Sequence, residues 1–213
     1  KQSSGPFVLP MDLIHCADLR WFISRYPLEI SDADRKVLED GCLAFEAQRA
    51  EMERIFLPDY VPPAIAGLRG DSVVRKYQSQ AIELARFRRR LLIGDEGGLG
   101  KTYTAAAFLC GEPGALPGAV VCDPHMQKQW KDKLTAFTHL RVHVITKASP
   151  YDLPPADVYV FRVSQIGGWT DIFAADFFKA AVFDEPQSLR TGTSTAKGAA
   201  AKVLANHVSF RLG

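Results

Sequence analysis

The sequence predicts an α/β protein with a central parallel sheet flanked by helices, preceded by a helical N-terminal extension. Three observations carry this reading. From about Leu91 onward, short apolar, β-branched runs recur, and they are continuously apolar rather than alternating, as strands covered on both faces are. Stretches of helical character separate them, the arrangement that feeds parallel strands. Up to about Leu57 the signals are helical only. With 213 residues, 47% of them apolar, the chain can bury a sizeable core.

In chain order, Ser31 followed by Asp34 resembles a capping box with Asp in place of Glu. Beyond it Leu38, Cys42, Phe45, Met52 and Phe56 fall at three- and four-residue steps, interrupted by Arg49, which predicts a helix with a core-facing stripe. "LPDYVPPAIAGLRGD", from Leu57 to Asp71, carries three prolines and two glycines and predicts an extended linker. The organisation expected is therefore an extension over 1–60 and an α/β domain over 61–213. In the latter "VVRKYQSQAIELARF" predicts a helix, "LLIG" a strand and "YTAAAFLC" a helix. "GAVVCDP" predicts a strand and "HMQKQWKDKLTAF" a helix. "RVHVIT", "DVYVFRV" and "AAVFDE" predict further strands, and a last helix precedes "HVSFRL".

The net charge of +2 is near neutral, so any nucleic-acid contact needs a local basic face. No apolar run approaches the roughly 20 residues of a membrane helix, and the opening "KQSSGPFVLP" has no signal-peptide character. Cys16, Cys42, Cys110 and Cys122 form no CxxC pair, which predicts free thiols and an intracellular, reducing compartment such as cytoplasm, nucleoid or nucleus. The scattered histidines supply no metal centre.

"LLIGDEGGLGKTYTAAAFLC", from Leu91 to Cys110, reads as strand, glycine-rich turn and helix, the context of a phosphate-binding loop. Gly100, Lys101 and Thr102 fit the end of that pattern, although Asp95 stands where its first glycine belongs. Gly97, Gly98 and Gly100 would let backbone N–H groups turn towards phosphate oxygens, and the helix opening at Lys101 adds its positive end. Lys101 would neutralise β/γ-phosphate charge and Thr102 would offer its hydroxyl to Mg²⁺. Hydrolysis further requires a metal carboxylate and a group to activate water, both from another strand end. Asp184 and Glu185 at the end of "AAVFDE" supply them. The bland alternative is a glycine-rich turn that happens to carry a lysine.

"GDEGGLGKT" resembles the first motif of superfamily-two helicases, and more narrowly the "DExGLGKT" form of the Swi/Snf-type DNA translocases. "VVRKYQSQAIELA" resembles the Q-motif segment, "AVVCDPHMQKQWKDKLTAF" motif Ia, "DVYVFRVSQI" the motif Ib strand and "VFDEPQSLR" motif II. The resemblance runs from about Val61 to Gly213. It implies a RecA-like P-loop NTPase lobe using ATP and Mg²⁺, catalytic in Lys101, Asp184, Glu185 and Gln187. Gln78 would recognise adenine, Asp184 hold the metal and Glu185 activate water. Gln187, where the class usually has His, would sense the γ-phosphate. His125, Lys128, Arg162 and Ser164 would meet duplex DNA, weakly in this lobe alone. Motif III and a second RecA-like lobe with an arginine finger would follow Gly213, and the chain is expected to be a monomer. A strand-separating or RNA-directed helicase, and a catalytically weak nucleotide-dependent binding module, are the alternatives.

Other features have plainer readings. "RFRRR", from Arg86 to Arg90, reads as a helix C-terminus whose cations complement the dipole. Trp130 shares helical spacing with Leu134 and Phe137 and reads as core, while Arg190 reads as a residue of the lobe's own surface.

Overall fold

The computed structural model describes residues 8–10, 12–94 and 98–213. The chain divides into two compact units, one ending at Tyr60 and one running from Val61 to Gly213.

The first unit is a helical hairpin. α1 (Leu13–Ile23) starts at Asp12, whose carboxylate accepts the His15 N–H at 2.9 Å. α2 (Asp32–Phe56) starts at Ser31. The Ser31 hydroxyl accepts the Asp34 N–H at 3.1 Å and donates to the Asp34 carboxylate at 2.6 Å, so the short Asp meets the hydroxyl itself. Where the helices pack, Gly41 permits close approach, since a Cβ there would lie 2.4 Å from Cys16 Sγ. The expected stripe holds at Leu38, Cys42, Phe45 and Met52 and then slips by one residue. Ile55 is buried, whereas Phe56 is 63% exposed. Arg49 turns outward to Glu53 at 2.7 Å, and the half-buried Gln48 takes the inward position.

The second unit is a six-stranded, all-parallel sheet. Its strands are β1 (Arg90–Leu91), β2 (Gly118–Cys122), β3 (Val142–Val144), β4 (Val158–Arg162), β5 (Ala180–Phe183) and β6 (Phe210–Leu212), in spatial order β1-β6-β5-β2-β4-β3. α3 (Lys76–Arg88), α4 (Lys101–Gly111) and α5 (Gln127–Phe137) cover one face. There they bury Ile82, Phe108 and Leu134 against Val120, Val160 and Val182. α6 (Thr170–Ala174), α7 (Ala196–His207) and the turn at Ile166–Trp169 cover the other, over Val121, Tyr159 and Phe161. Alternate residues of β2 enter opposite cores, which explains its continuously apolar sequence.

β1 is shorter than "LLIG" suggests. It is an edge strand paired with β6 only, and Leu92 is 73% exposed. Pairing continues irregularly through the Gly213 N–H to the Leu91 carbonyl at 3.0 Å and the Ile93 N–H to the Gly213 carbonyl at 2.6 Å. The Pro-rich linker is pinned beyond α5, where Arg69 donates from its backbone to the Phe137 carbonyl at 2.9 Å and from Nε to the Thr138 carbonyl at 2.6 Å. The arginine run ends α3. Arg86 meets Glu83 and the Gly111 carbonyl, and Arg89 takes the left-handed cap conformation. No helix among the described residues is long and apolar enough to cross a membrane.

Candidate functional site

β1 and β5 are separated only by β6, so the turns that leave their C-terminal ends meet at one edge of the sheet, where open parallel sheets bind ligands. The glycine turn and the acidic pair, distant in sequence, line one open cleft of about 860 Å³.

On the glycine side, Gly98 and Gly100 have φ of 89° and 86°, conformations that a side chain disfavours. Gly100 is constrained a second time, because a Cβ there would lie 2.7 Å from Gln78 Nε2. α3 braces the turn: Tyr77 donates its hydroxyl to the Leu99 carbonyl at 2.7 Å, and Gln78 Nε2 donates to the Gly100 carbonyl at 3.4 Å. Gln78 Oε1 accepts the Arg75 N–H at 2.8 Å. The carboxamide expected to read adenine thus fastens the loop to α3. Gly97 and the anomalous Asp95 lie outside the described residues. α4 then begins at Lys101, so Lys101, Thr102 and the first-turn N–H groups stand at the cleft.

On the acidic side, the Asp184 N–H donates to the Val121 carbonyl at 2.9 Å, and its Oδ2 accepts the indole N–H of Trp130 at 2.7 Å. Glu185 has φ of 55°, so the chain turns sharply straight after Asp184, and Gln187 Nε2 donates to the Glu185 carboxylate. Asp184, Glu185 and Gln187 all line the cleft. Burial pushes the Cys122 thiol up to about 12, and the nearby Asp184 and Asp123 carboxylates add to the effect. Cys122 therefore stays a neutral thiol at the end of β2 and supplies no nucleophile.

Gln127 joins the other named residues. Its buried Nε2 donates to the Ile145 and Val160 carbonyls, each at 2.9 Å, and its Oε1 accepts Arg162 Nε at 2.9 Å. Gln165 Oε1 accepts the Arg162 N–H at 3.0 Å. The end of β4 is thereby tied to the start of α5, the helix that carries Lys128. Ser164 is exposed in the turn that follows β4, Lys128 is exposed and paired with Asp132 at 2.6 Å, and His125 lies on the cleft wall instead.

Over 146 residues, 64% of its length, the chain is 25% identical to the SWI/SNF-related matrix-associated actin-dependent regulator of chromatin subfamily A-like protein 1 homolog of Caenorhabditis elegans, of which the match covers 21%. The Sulfolobus solfataricus SWI2/SNF2 ATPase core in complex with dsDNA matches with a TM-score of 0.62 at 23% identity, over 72% of this chain and 33% of that one. This chain resembles the Swi/Snf-type ATPases. The S. solfataricus SWI2/SNF2 ATPase core domain gives a TM-score of 0.58 at 22% identity, over 74% of this chain and 35% of that one. No family model matches. The chain spans about a fifth of the curated relative and about a third of the solved cores. The six-stranded parallel sheet flanked by helices is the RecA-like fold of the Swi/Snf-type core.

Three residues of this α/β unit escape sequence reasoning. Tyr77 and Gln127 sit on helices whose periodicity explains them as ordinary surface or core positions. Trp130 does pack in the core, at 2% exposure, but its indole N–H reaches Asp184. The available signal was chemical, since a buried indole N–H usually finds a partner. Arg190, read from sequence as a DNA-side or structural residue of the lobe's own surface, also lines the cleft.

Proposed function

We propose that residues 61–213 are the ATP-binding RecA-like lobe of a DNA translocase and that residues 1–60 are a helical extension to it. The observation that carries this reading is the meeting of Lys101 and Thr102 with Asp184 and Glu185 in one cleft. In the proposed arrangement the glycine turn and the first turn of α4 hold the phosphates by backbone N–H groups. Lys101 neutralises the β- and γ-phosphates. Asp184 and the Thr102 hydroxyl would hold Mg²⁺. No group of three or more His, Cys, Asp or Glu able to hold a metal occurs among the described residues. Asp184 is a single carboxylate on the cleft wall, and Mg²⁺ is commonly bound by one or two carboxylates plus substrate phosphates. That ion supplies charge neutralisation on the phosphates. Glu185 orients and deprotonates the attacking water, and Gln187, already bonded to Glu185, senses the γ-phosphate. Reading adenine requires Gln78 to exchange the Arg75 N–H and Gly100 carbonyl for the base.

Role separation between the two carboxylates tests this. Asp184→Asn is expected to weaken Mg²⁺-dependent ATP binding, while Glu185→Gln leaves it intact, in a nucleotide titration repeated across Mg²⁺ concentrations. Identical behaviour of the two variants would contradict the assignment.

The solved SWI2/SNF2 core binds dsDNA, and the edge formed by Lys128, Arg162 and Ser164, with His125 at its cleft side, is the proposed DNA-facing surface here. Such contacts reach phosphates, so binding should be independent of sequence and sensitive to salt. Lys128→Ala and Arg162→Ala should each lower the log–log salt slope by about one unit, measured by fluorescence anisotropy on duplexes of different sequence. A marked sequence preference would count against this surface. The free thiols fit a reducing, intracellular setting.

A further inference from the structure

We infer that Trp130 is a positioning residue for the metal carboxylate Asp184, an inference that rests on the nucleotide reading above. Trp130 is 2% exposed, and its indole offers a single N–H donor. Buried donors are satisfied almost without exception. Here the acceptor is Asp184 Oδ2 at 2.7 Å, rather than a backbone carbonyl. The same aspartate is fixed from behind by its N–H to the Val121 carbonyl at 2.9 Å. One bond comes from α5 and the other from β2, so the carboxylate cannot rotate without breaking the first. This leaves Oδ1 free of the indole, on a residue that lines the cleft. A bulky, fully packed ring is a rigid support for that purpose, because its own rotamer is set by the core formed with Leu134 and Ala105. Groups that orient a metal ligand in this way typically contribute about 10- to 100-fold to metal affinity.

The chain has three tryptophans, hence three indole N–H signals in a ¹H–¹⁵N spectrum. Trp130→Phe keeps an aromatic ring, removes the donor and identifies one signal by its loss. In metal-free protein, Asp184→Asn is expected to move that signal, and Mg²⁺ with ADP is expected to move it again in the unaltered chain. Trp130→Phe should raise the Mg²⁺ concentration needed for nucleotide binding by about 10- to 100-fold, leave Mg²⁺-free nucleotide binding unchanged, and add nothing to Asp184→Asn. A signal indifferent to Asp184→Asn, or effects of the two substitutions that add, would overturn the inference. If Trp130→Phe does not fold, Trp21→Phe and Trp169→Phe assign the signal by elimination and the Asp184→Asn comparison still decides. Should Mg²⁺ and ADP fail to bind at all, the nucleotide reading falls, while the metal-free spectra still judge the Trp130–Asp184 bond.

Discussion

Joined to a second RecA-like lobe, covalently or in trans, this chain is expected to release phosphate from ATP about 10³- to 10⁵-fold faster than the 213 residues alone, the span an arginine finger contributes. The gain should require duplex DNA. Within the single lobe, Lys101, the Thr102 hydroxyl, Asp184 and Glu185 line the cleft and are the groups proposed to bind the nucleotide and place a water. The charge that develops on the transferring phosphoryl group needs a further cation. Lys133, Lys197 and Arg190 also line the cleft, and Arg190, the arginine among them, is the residue to set aside first. Arg190→Ala in the single lobe should leave its near-background rate unchanged. Steady-state phosphate release, with and without duplex DNA, makes the comparison. Vigorous turnover by the lobe alone would show that the second lobe is dispensable.

Glu185→Gln in the two-lobe protein is expected to cut turnover by about 10²- to 10⁴-fold, the range a positioned general base supplies, while ATP remains bound. Size and hydrogen-bonding capacity survive the change, but the proton acceptor is gone. The backbone turns left-handed at Glu185, and the two adjacent carboxylates have different partners, the Trp130 indole for Asp184 and Gln187 for Glu185. Single-turnover kinetics with trapped ATP separates loss of chemistry from loss of binding. Retention of most of the rate would remove Glu185 from the base role.

The contrast between what sequence revealed and what it hid has physical causes. β2, β4 and β5 are buried on both faces, so every residue is apolar except the Arg162 that ends β4, and they are legible as strands. β1 is an edge strand that ends after two residues, and apolar content cannot report where pairing stops. In α2, Arg49 pairs outward with Glu53 and Gln48 is half-buried instead, and after Met52 the buried position falls at Ile55 rather than Phe56. Lys101 and Asp184 stand out in the sequence because phosphate and metal chemistry would demand those residue types after a glycine-rich turn and at a strand end, and both line the cleft. Their meeting in one cleft follows from the strand order, with β6 alone between β1 and β5. Trp130 and Gln127 act through hydrogen bonds to partners distant in sequence, Trp130 to Asp184 at 2.7 Å and Gln127 to Ile145, Val160 and Arg162 at 2.9 Å each, and helical periodicity cannot show those. Gln78 shows the opposite case, where a side chain singled out for a ligand also has structural partners in Arg75 and Gly100.

The claim that everything else depends on is that this cleft binds a magnesium nucleotide through Lys101. Isothermal titration calorimetry of Mg²⁺ with ATP into the unaltered chain and into Lys101→Ala addresses it directly, with thermal melting of both as the folding control. The account predicts a saturable heat for the unaltered chain, its loss in Lys101→Ala, and melting temperatures within a few degrees of each other, because the substitution removes a point charge and leaves the α4 packing of Ala105 to Leu109 in place. Equal affinity of the two proteins for the nucleotide would contradict it.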